Sequence, residues 1–428
     1  MLMFTLIVPA LGLATDSSVV VDKLVRNNTV FAVELYKKLC SETGNISISP
    51  YSISASLAMT CAGARGDTQK QMTETLRFSV EPKSIQPAFD SLRSILDNLN
   101  VKGGVNLNVA NSLWAQEGYD ILPEYKDLLK TYCGAATISL DYKTQPGEAI
   151  KTINGWVEER TRGRIKDIIA PDAITPDTKM VLTNAICFKG DWEQKFQDDF
   201  TEDSKFFISS EDSIGVRMMK HTGVYNYADI ESLQILEMPY AGNELSMIAL
   251  LPREAEGLKK LENDLSLENL KTWKARMDSA KVLANFPKFE MVSSFDLTNA
   301  LISMGMIDAF NSRNANFNGI APRHDDPLYL SSVIHKAFIE VDEEGTQASA
   351  ATSTMAADGI SFNDTQILVF RADHPFIFLI QENQTGSIIF MGRVSEPTKA
   401  QKTSAQENMN STDKKNSHKS RLNPKPLQ

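Results

Sequence analysis

The amino-acid sequence predicts an α+β fold. Helical periodicity dominates the N-terminal part, strand-type runs dominate the remainder, and the two kinds of segment do not alternate as they do in a doubly wound β-α-β fold. No internal repeat and no linker divides residues 20–397. We therefore predict one domain, and a chain of 428 residues is long enough to give it a large buried core.

Four helical segments are predicted in the first 161 residues. Asn28-Thr29 carries side chains that cap a helix start, and the apolar residues after it predict a helix through Leu39. Asp67-Thr68 predicts the start of a second, short helix. Residues 84–100 and 147–161 are the other two segments, and the last of them repeats apolar residues on one face.

Predicted strands follow, as runs of β-branched and aromatic residues bounded by turn residues. They cover residues 105–114, 180–188, 235–251 (two strands around a turn near Gly242), 328–341, 367–370 and 388–394. Because these runs are separated by irregular intervals, they fit the strands of an α+β protein better than those of a parallel α/β sheet.

Charge and motif content argue against several classes of function. The formal net charge of −10 is the wrong sign for a general nucleic-acid binder, whose surface must neutralise phosphates. The enzyme signatures Gly-x-Ser-x-Gly, Gly-x-x-x-x-Gly-Lys and His-Glu-x-x-His do not occur in the sequence, and its five histidines have no metal-ligand spacing. We predict a protein that is not an enzyme and that has no metal or cofactor.

The N-terminal residues 1–14 are apolar and end in Gly12-Leu13-Ala14, a pattern typical of a signal peptide with its cleavage site. This pattern predicts a secreted, extracellular protein; an apolar N-terminal segment of an intracellular protein is the alternative. No later run of about 20 apolar residues occurs, so no contact with a membrane is expected. Asn27 and Asn383 match the N-glycosylation pattern and are the predicted glycan sites.

Four cysteines lie far apart and form no Cys-x-x-Cys pair, which argues against a zinc or redox site. Cys40, Cys61 and Cys187 lie in apolar patterns and are predicted to be buried free thiols, with one disulfide left open. Residues 399–428 carry seven Lys or Arg against two acids and few apolar residues. We predict a disordered basic tail after a domain of residues 15–398; a polyanion-binding role is the alternative.

The most unusual segment is residues 345–357, GTQASAATSTMAA, which has no charge and no proline. Surface loops are normally richer in turn residues. In a strand, alternate residues of this run would point to opposite faces, and the small set containing Thr346, Ala348 and Ala350 would fit beneath a crowded sheet. A flexible linker is the alternative, but the strand-type residues 374–394 that follow place structure on both sides.

This segment and five other motifs resemble the serpin family of serine protease inhibitors, over nearly the whole chain. Glu343-Glu344-Gly345-Thr346 and the small run resemble the hinge of a serpin reactive loop. The other motifs, which occur in family order, are residues 45–54, 184–192, 286–289, 374–380 and 390–394. The resemblance implies a serpin fold with three β-sheets, eight to nine helices and an exposed reactive-centre loop.

The resemblance also implies a mechanism, that of a suicide substrate. A target protease cleaves the loop and forms an acyl-enzyme, and the freed hinge then inserts into the main sheet, so that the protease ends in a covalent complex. The implied partner is that protease, and the inhibitor is expected to be a monomer. The hinge positions that carry over are Glu343, Glu344, Gly345, Thr346, Ala348, Ala350 and Thr352.

A charge or a proline in the small run would block insertion, and neither occurs there. The sequence of the hinge therefore favours an inhibitor. A non-inhibitory serpin that acts as a carrier, a storage protein or a chaperone is the alternative.

Other positions carry over from the family to regions that control opening of the sheet. The expected polar cluster under the sheet is Ser49, Ser52, Asn184 and His335, and the expected residues at the insertion point are Trp192, Lys288 and Glu343.

Counting from the hinge glycine Gly345, as in the family, places the reactive bond at Gly359–Ile360. The alternatives are Met355 and Phe362, which suit chymotrypsin- or elastase-like pockets, and Asp358, which suits an aspartate-directed protease. No Lys or Arg lies between residues 345 and 370. The expected target is therefore an elastase- or chymotrypsin-like enzyme, and not a trypsin-like one.

Overall fold

A computed structural model describes residues 14–102, 104–133, 137–322, 326–343 and 366–397. The predicted signal peptide up to residue 13, the hinge and reactive bond from Glu344 to Phe362, and the predicted tail lie outside the described residues. Within them the chain is α+β, as the sequence predicts.

Nine α-helices occur in the described residues, in line with the eight to nine expected. They are α1 (Ala14–Leu39), α2 (Pro50–Gly63), α3 (Gly66–Thr75), α4 (Pro82–Lys102), α5 (Pro123–Leu128), α6 (Pro146–Arg160), α7 (Leu258–Asp264), α8 (Leu267–Lys274) and α9 (Thr298–Ser303). Proline stands at the first positions of α2, α5 and α6, where its missing N–H has no partner to lose.

The predicted start of the first helix is wrong. The helix begins at Ala14, so Asn28 and Thr29 lie in the interior of α1 instead of capping it. Thr29 Oγ1 donates a hydrogen bond to the carbonyl oxygen of Val25, 3.0 Å away, and this bond satisfies the hydroxyl within the helix. The predicted helices that start near Asp67 and that span residues 84–100 and 147–161 are confirmed.

Fourteen strands occur in the described residues. They are β1 (Ile46–Ile48), β2 (Val105–Gln116), β3 (Thr137–Leu140), β4 (Met180–Gly190), β5 (Glu202–Phe207), β6 (Ser213–Ile230), β7 (Leu233–Pro239), β8 (Leu245–Pro252), β9 (Asp278–Pro287), β10 (Phe289–Asp296), β11 (Leu330–Val341), β12 (Leu368–Arg371), β13 (Phe376–Glu382) and β14 (Ile388–Val394). All the predicted strands are present, and the turn between β7 and β8 has Gly242 at a φ of 86°, a left-handed conformation that favours glycine.

Two hydrogen-bonded sheets contain these strands. The first has the order β10-β11-β4-β2-β3, and the second has the order β1-β14-β13-β8-β7-β6-β9-β12 with β5 also paired to β6. The 18-residue strand β6 pairs with β7 at one end and with β9 and β5 along the rest of its length. The resemblance implies three sheets, whereas the described residues form two. The difference arises because β6 joins two of the expected sheets into one.

The main core lies between the two sheets. Helix α2 runs through it and is buried along almost its whole length, starting at Ser49, whose side chain accepts a hydrogen bond from the Ser52 amide. Helix α6 covers the opposite face of the five-stranded sheet, with Ile153 and Val157 fully buried against it. The sheet is thus covered on both faces, and any strand added to it would enter a largely apolar layer.

Cys40, Cys61 and Cys187 are buried free thiols, as predicted. Burial raises the pKa of Cys40 and of Cys187 to about 12, so neither is a reactive thiolate at neutral pH. Along the described residues, no helix combines the length and the apolar character needed to cross a lipid bilayer.

Candidate functional site

The candidate site is the junction of β4 and β11, two neighbouring strands in the five-stranded sheet. They run parallel, with a register shift after Leu330 and then a continuous register from Ser332 opposite Val181 to Ile339 opposite Phe188. Each strand is flanked on its other side by an antiparallel partner, β2 for β4 and β10 for β11. A strand placed between β4 and β11 and antiparallel to both would make this part of the sheet antiparallel throughout.

The chain itself leads back toward this junction. Strand β11 ends at Val341, and Glu343 is the last described residue before the uncharged run that begins at Gly345. A segment that turns back directly from the end of β11 must run antiparallel to β11, and therefore antiparallel to β4 as well. The topology thus allows residues after Glu343 to enter between these two strands.

A buried polar cluster joins the two strands near the middle of their length. Asn184 on β4 and His335 on β11 are opposed in register. His335 Nδ1 lies 2.5 Å from Asn184 Oδ1, and Asn184 Nδ2 donates to Ser52 Oγ at 2.6 Å and also to Asn111 Oδ1. We define the shutter cluster as Ser49, Ser52, Asn111, Asn184 and His335.

The hydrogen bonds of His335 fix its protonation state. Its Nε2 accepts a hydrogen bond from the Ser49 amide at 3.2 Å, so Nδ1 carries the proton and donates it to Asn184 Oδ1. Complete burial lowers the pKa of His335 to about 3, because an imidazolium would be desolvated and its second N–H would face the donor of Ser49. The side chain is therefore neutral at physiological pH.

At the carboxyl end of β11, Trp192 holds the chain by its backbone. Trp192 Nε1 donates to the carbonyl oxygen of Asp342 at 2.9 Å, and its ring stacks on Tyr240 with centroids 4.5 Å apart and planes 10° from parallel. Both aromatic residues are buried. Gly190, the last residue of β4, has no room for a side chain here, because a Cβ would lie 2.8 Å from the Tyr240 ring.

Glu343 is tied to Lys288, which lies in the link between β9 and β10. Lys288 Nζ lies 2.6 Å from Glu343 Oε2, and the Phe196 amide donates to the carbonyl oxygen of Glu343 at 3.1 Å. Burial by itself would raise the pKa of the Glu343 carboxyl. Hydrogen bonds from Lys288, from the Glu343 amide and from Thr201, together with the charge of Lys288, outweigh burial and hold that pKa below its usual value. Glu343 is thus ionised and anchored immediately before the uncharged run.

A second basic residue secures the same end of the sheet. Lys189 on β4 bridges Glu340 and Asp342, with its Nζ 2.7 Å and 2.8 Å from their carboxylate oxygens. These ion pairs join the carboxyl ends of β4 and β11, which must separate if a strand enters between them. Together with Trp192 and Lys288, Lys189 closes the entrance to the β4–β11 junction.

The structure brings the predicted site residues together at two levels. Ser49, Ser52, Asn184 and His335 form one cluster, and Trp192, Lys288 and Glu343 gather about the carboxyl end of β11. Two contributors are missing from the sequence prediction, Asn111 and Lys189. Asn111 is one of three asparagines on β2 and belongs to no motif. Lys189 lies within the motif of residues 184–192 but resembles any other surface lysine until its partners are known.

The two predicted glycan sites differ in their surroundings. Asn27 lies within α1, half-buried, and its Nδ2 donates to Ser79 Oγ at 2.5 Å. Asn383 lies exposed in the turn between β13 and β14, and its Nδ2 donates to the carbonyl oxygen of Asn243. Glycosylation of both asparagines stays a prediction of the sequence.

Comparison with known proteins gives one consistent result. A family model described as serpin (serine protease inhibitor) matches residues 26–397. The leukocyte elastase inhibitor of Sus scrofa is 39% identical over 387 residues, which cover 88% of this chain and 100% of that protein.

Two solved structures are similar across the same extent. Uncleaved ovalbumin is 31% identical with a TM-score of 0.79, and the match covers 88% of this chain and 100% of ovalbumin. Human thyroxine-binding globulin complexed with thyroxine is 31% identical with a TM-score of 0.80, covering 89% of this chain and 100% of the globulin.

Proposed function

The chain belongs to the serpin family, and we propose that it inhibits a serine protease as a suicide substrate, by loop cleavage and insertion of the freed loop between β4 and β11. The observation that carries the proposal is the parallel pairing of β4 and β11, because a segment that turns back from the end of β11 would run antiparallel to both strands. The uncharged run after Glu343 supplies a segment that the sheet can accept.

Insertion would be strongly favourable. About fourteen inserted residues, at about 3.3 Å each, would carry an attached protease tens of ångströms. At about 1 kcal/mol net for each new hydrogen bond, with side-chain burial added, the gain is on the order of ten kcal/mol. This is enough to distort an attached active site, in which displacements of about 1 Å already slow catalysis severely. The acyl-enzyme would then be trapped before it can hydrolyse.

The proposed target is an elastase- or chymotrypsin-like protease. Met355, Ile360 and Phe362 are apolar side chains near the predicted bond, and residues 345–370 contain no Lys or Arg. The relative from Sus scrofa carries the name of a leukocyte elastase inhibitor, which supports the same enzyme class. The serpin reaction needs one copy of the inhibitor for each protease, so we further propose a monomeric inhibitor.

The test is incubation of the purified protein with elastase-, chymotrypsin-, trypsin- and caspase-type enzymes. An SDS-stable complex with one of the first two, and sequencing of the released peptide, would identify both the target class and the cleaved bond. A caspase-specific complex would move the bond to follow Asp358. Cleavage without a complex by all four enzymes would overturn inhibition and favour a non-inhibitory serpin.

A pair of variants separates insertion from cleavage. Ala350→Arg places a charge in the set of hinge residues that would face the apolar layer beneath the sheet, whereas Ser349→Arg places the same charge on the opposite face. Cleavage of Ala350→Arg should continue with loss of most of the covalent complex, while Ser349→Arg keeps forming it. Equal trapping by both variants would exclude insertion as the cause of inhibition.

Carriage of a small apolar ligand is the second candidate function, and a cavity of about 360 Å³ between α1, α8 and the nine-stranded sheet favours it. Leu270, Trp273 and Leu379 line the cavity. Its charged lining residues are the three bases Arg26, Lys271 and Lys274 and one acid, Asp22. A related structure, thyroxine-binding globulin, holds thyroxine. Calorimetric titration with thyroxine would test this function separately from inhibition.

A further inference from the structure

An exposed apolar surface lies on the outer face of β6, β9 and β12. The strand register aligns Thr222 on β6 with Leu283 on β9, and Leu283 with Val369 on β12. Residues aligned in this way share one face of a sheet, and so do residues two positions away along each strand. Val224 therefore lies on the same face as Val369.

The side chains on this face are unusually accessible for large apolar residues. Val224 is 48% exposed, Val369 is 50% exposed and Ile367, just before β12, is 48% exposed. Phe200, which is 58% exposed, shares a groove with Leu283 and Thr222. We define the β12 face as Phe200, Val224, Leu283, Ile367 and Val369.

The opposite face of the same strands is buried. Val282, Ala284 and Phe370, which alternate with the residues of the β12 face, are fully buried in the main core. The exposure of the β12 face is thus a property of one side of the sheet and not a sign of a loosely packed edge. The register places Lys281 of β9 opposite Val224, so one exposed lysine lies among the apolar side chains of this face. An exposed surface that is otherwise apolar marks a contact with a partner.

The position of the β12 face in the chain identifies the partner. Ile367 follows the predicted Gly359–Ile360 bond by seven residues, which span at most about 25 Å when fully extended. A protease domain of about 240 residues has a radius of gyration of about 18 Å by the usual scaling, so its body is over 40 Å across. An enzyme whose active site holds this bond therefore lies within reach of the β12 face.

We propose that the β12 face is a second contact surface for the target protease, used in the first encounter before the bond is cut. This inference rests on the proposed inhibitory function. The face fits an apolar patch on the rim of the protease active site. Its contribution is to the rate of association and to the choice of protease, because insertion of the loop between β4 and β11 does not involve β6, β9 or β12.

The experiment compares Val224→Glu and Val369→Glu with the wild-type protein and with Ile307→Glu. Ile307 is 54% exposed and lies beside a 3-10 turn outside both sheets, so it is a matched apolar-to-acidic control. The association rate constant is measured with the protease that forms the covalent complex, and the stoichiometry of inhibition and the melting temperature are measured alongside. We expect the two β12-face variants to associate at least ten-fold more slowly at unchanged stoichiometry and melting temperature, with Ile307→Glu near the wild-type rate.

Several results would overturn the inference. Association rates of both variants within two-fold of wild type would show that the protease does not use the β12 face. If the wild-type protein formed no covalent complex with any enzyme, the proposed function itself would fail, and this outcome is distinct from equal rates. Sedimentation analysis gives a third result: a dimer of the free protein that Val369→Glu dissociates would assign the face to a second copy of this chain.

Should either variant prove unstable, Val224→Ser and Val369→Ser remove the apolar contact without adding charge. The same slower association at unchanged melting temperature is then expected, and rates equal to wild type would again exclude the β12 face.

Discussion

Asn184 and His335 lie directly opposite each other on two parallel strands, and a buried hydrogen bond between their side chains joins those strands. The same asparagine also donates to Ser52 and Asn111, which belong to α2 and β2. One side chain thus connects the sheet to the helix beneath it. Separation of β4 from β11 requires this connection to break and to be replaced.

The first prediction concerns that connection. Asn184→Ala leaves the Nδ1–H of His335 and the side chains of Ser52 and Asn111 without a bond that they now make. Since each buried unsatisfied group costs about 1–3 kcal/mol, the midpoint of urea unfolding should fall clearly. Asn226→Ala is the control, because it removes an exposed hydrogen bond to Glu237 and should change the midpoint little. Equal effects of the two variants would contradict a special role for Asn184.

The second prediction concerns pH. The pKa of His335 is about 3 in the folded protein and about 6.5 in an unfolded chain, so the unfolded state binds more protons between these values. The contribution of His335 to stability is complete above about pH 6.5 and is lost as the pH falls toward 3, by up to about 1.4 kcal/mol per pH unit.

Urea unfolding of the wild type and of His335→Gln at pH 7, 5.5 and 4 measures this contribution. The variant is expected to be less stable at pH 7, and the difference should shrink as the pH falls. A difference that stays constant with pH would show that folding does not lower the pKa of His335.

The third prediction concerns the entrance to the β4–β11 junction. Lys288 is half-exposed but Glu343 is buried, so Lys288→Met leaves the carboxylate without its charged partner and should lower the free energy of unfolding by about 1–3 kcal/mol. The substitution also releases Glu343 from its anchor, and a synthetic peptide that copies residues 346–357 should then incorporate into the sheet faster. The rise in melting temperature with incubation time reports incorporation. Lys205→Met, on the exposed strand β5, is the control and should incorporate the peptide at the wild-type rate.

The fourth prediction concerns a buried ion pair that joins β14 to α7 and lies far from the site. Arg393 Nη1 lies 2.6 Å from Glu262 Oε1, and both side chains are less than 10% exposed. Glu262→Gln leaves the guanidinium buried without its counter-charge, so we expect a loss of about 3–5 kcal/mol in urea unfolding. Lys259→Ala, which removes an exposed partner 3.5 Å from Glu262, should cost far less. Comparable losses would show that burial of the Arg393 pair is not what stabilises this region.

The sequence predicts elements best where burial is one-sided. Helix α6 and strand β11 are both predicted nearly in full, because their buried residues follow a clear pattern. Helix α2 was not predicted, since it is apolar on every side and has no periodic face to detect. Strand β6 was missed for the opposite reason, because half of its residues face solvent and include charges and glycines.

Site residues divide in a similar way. Ser49 and Asn184 belong to segments with a family resemblance, and His335 carries over from the family as a single position. The sequence therefore identifies all three, and the structure shows them in contact. Asn111 and Lys189 act only through partners that are distant in the sequence, and no local pattern indicates such partners. The pairing register of the strands places these two residues beside the rest of the site, and the sequence does not predict that register.

The place of β13 and β14 in the nine-stranded sheet has a consequence for biosynthesis. These strands come after all the others in the chain, yet β13 lies between β14 and β8, and β14 pairs with β1. Until the ribosome has released residue 394, strand β8, which is buried throughout in the finished protein, has a bare apolar edge. The nascent chain therefore exposes that edge while it is being made, and the sheet can close only after β13 and β14 have emerged.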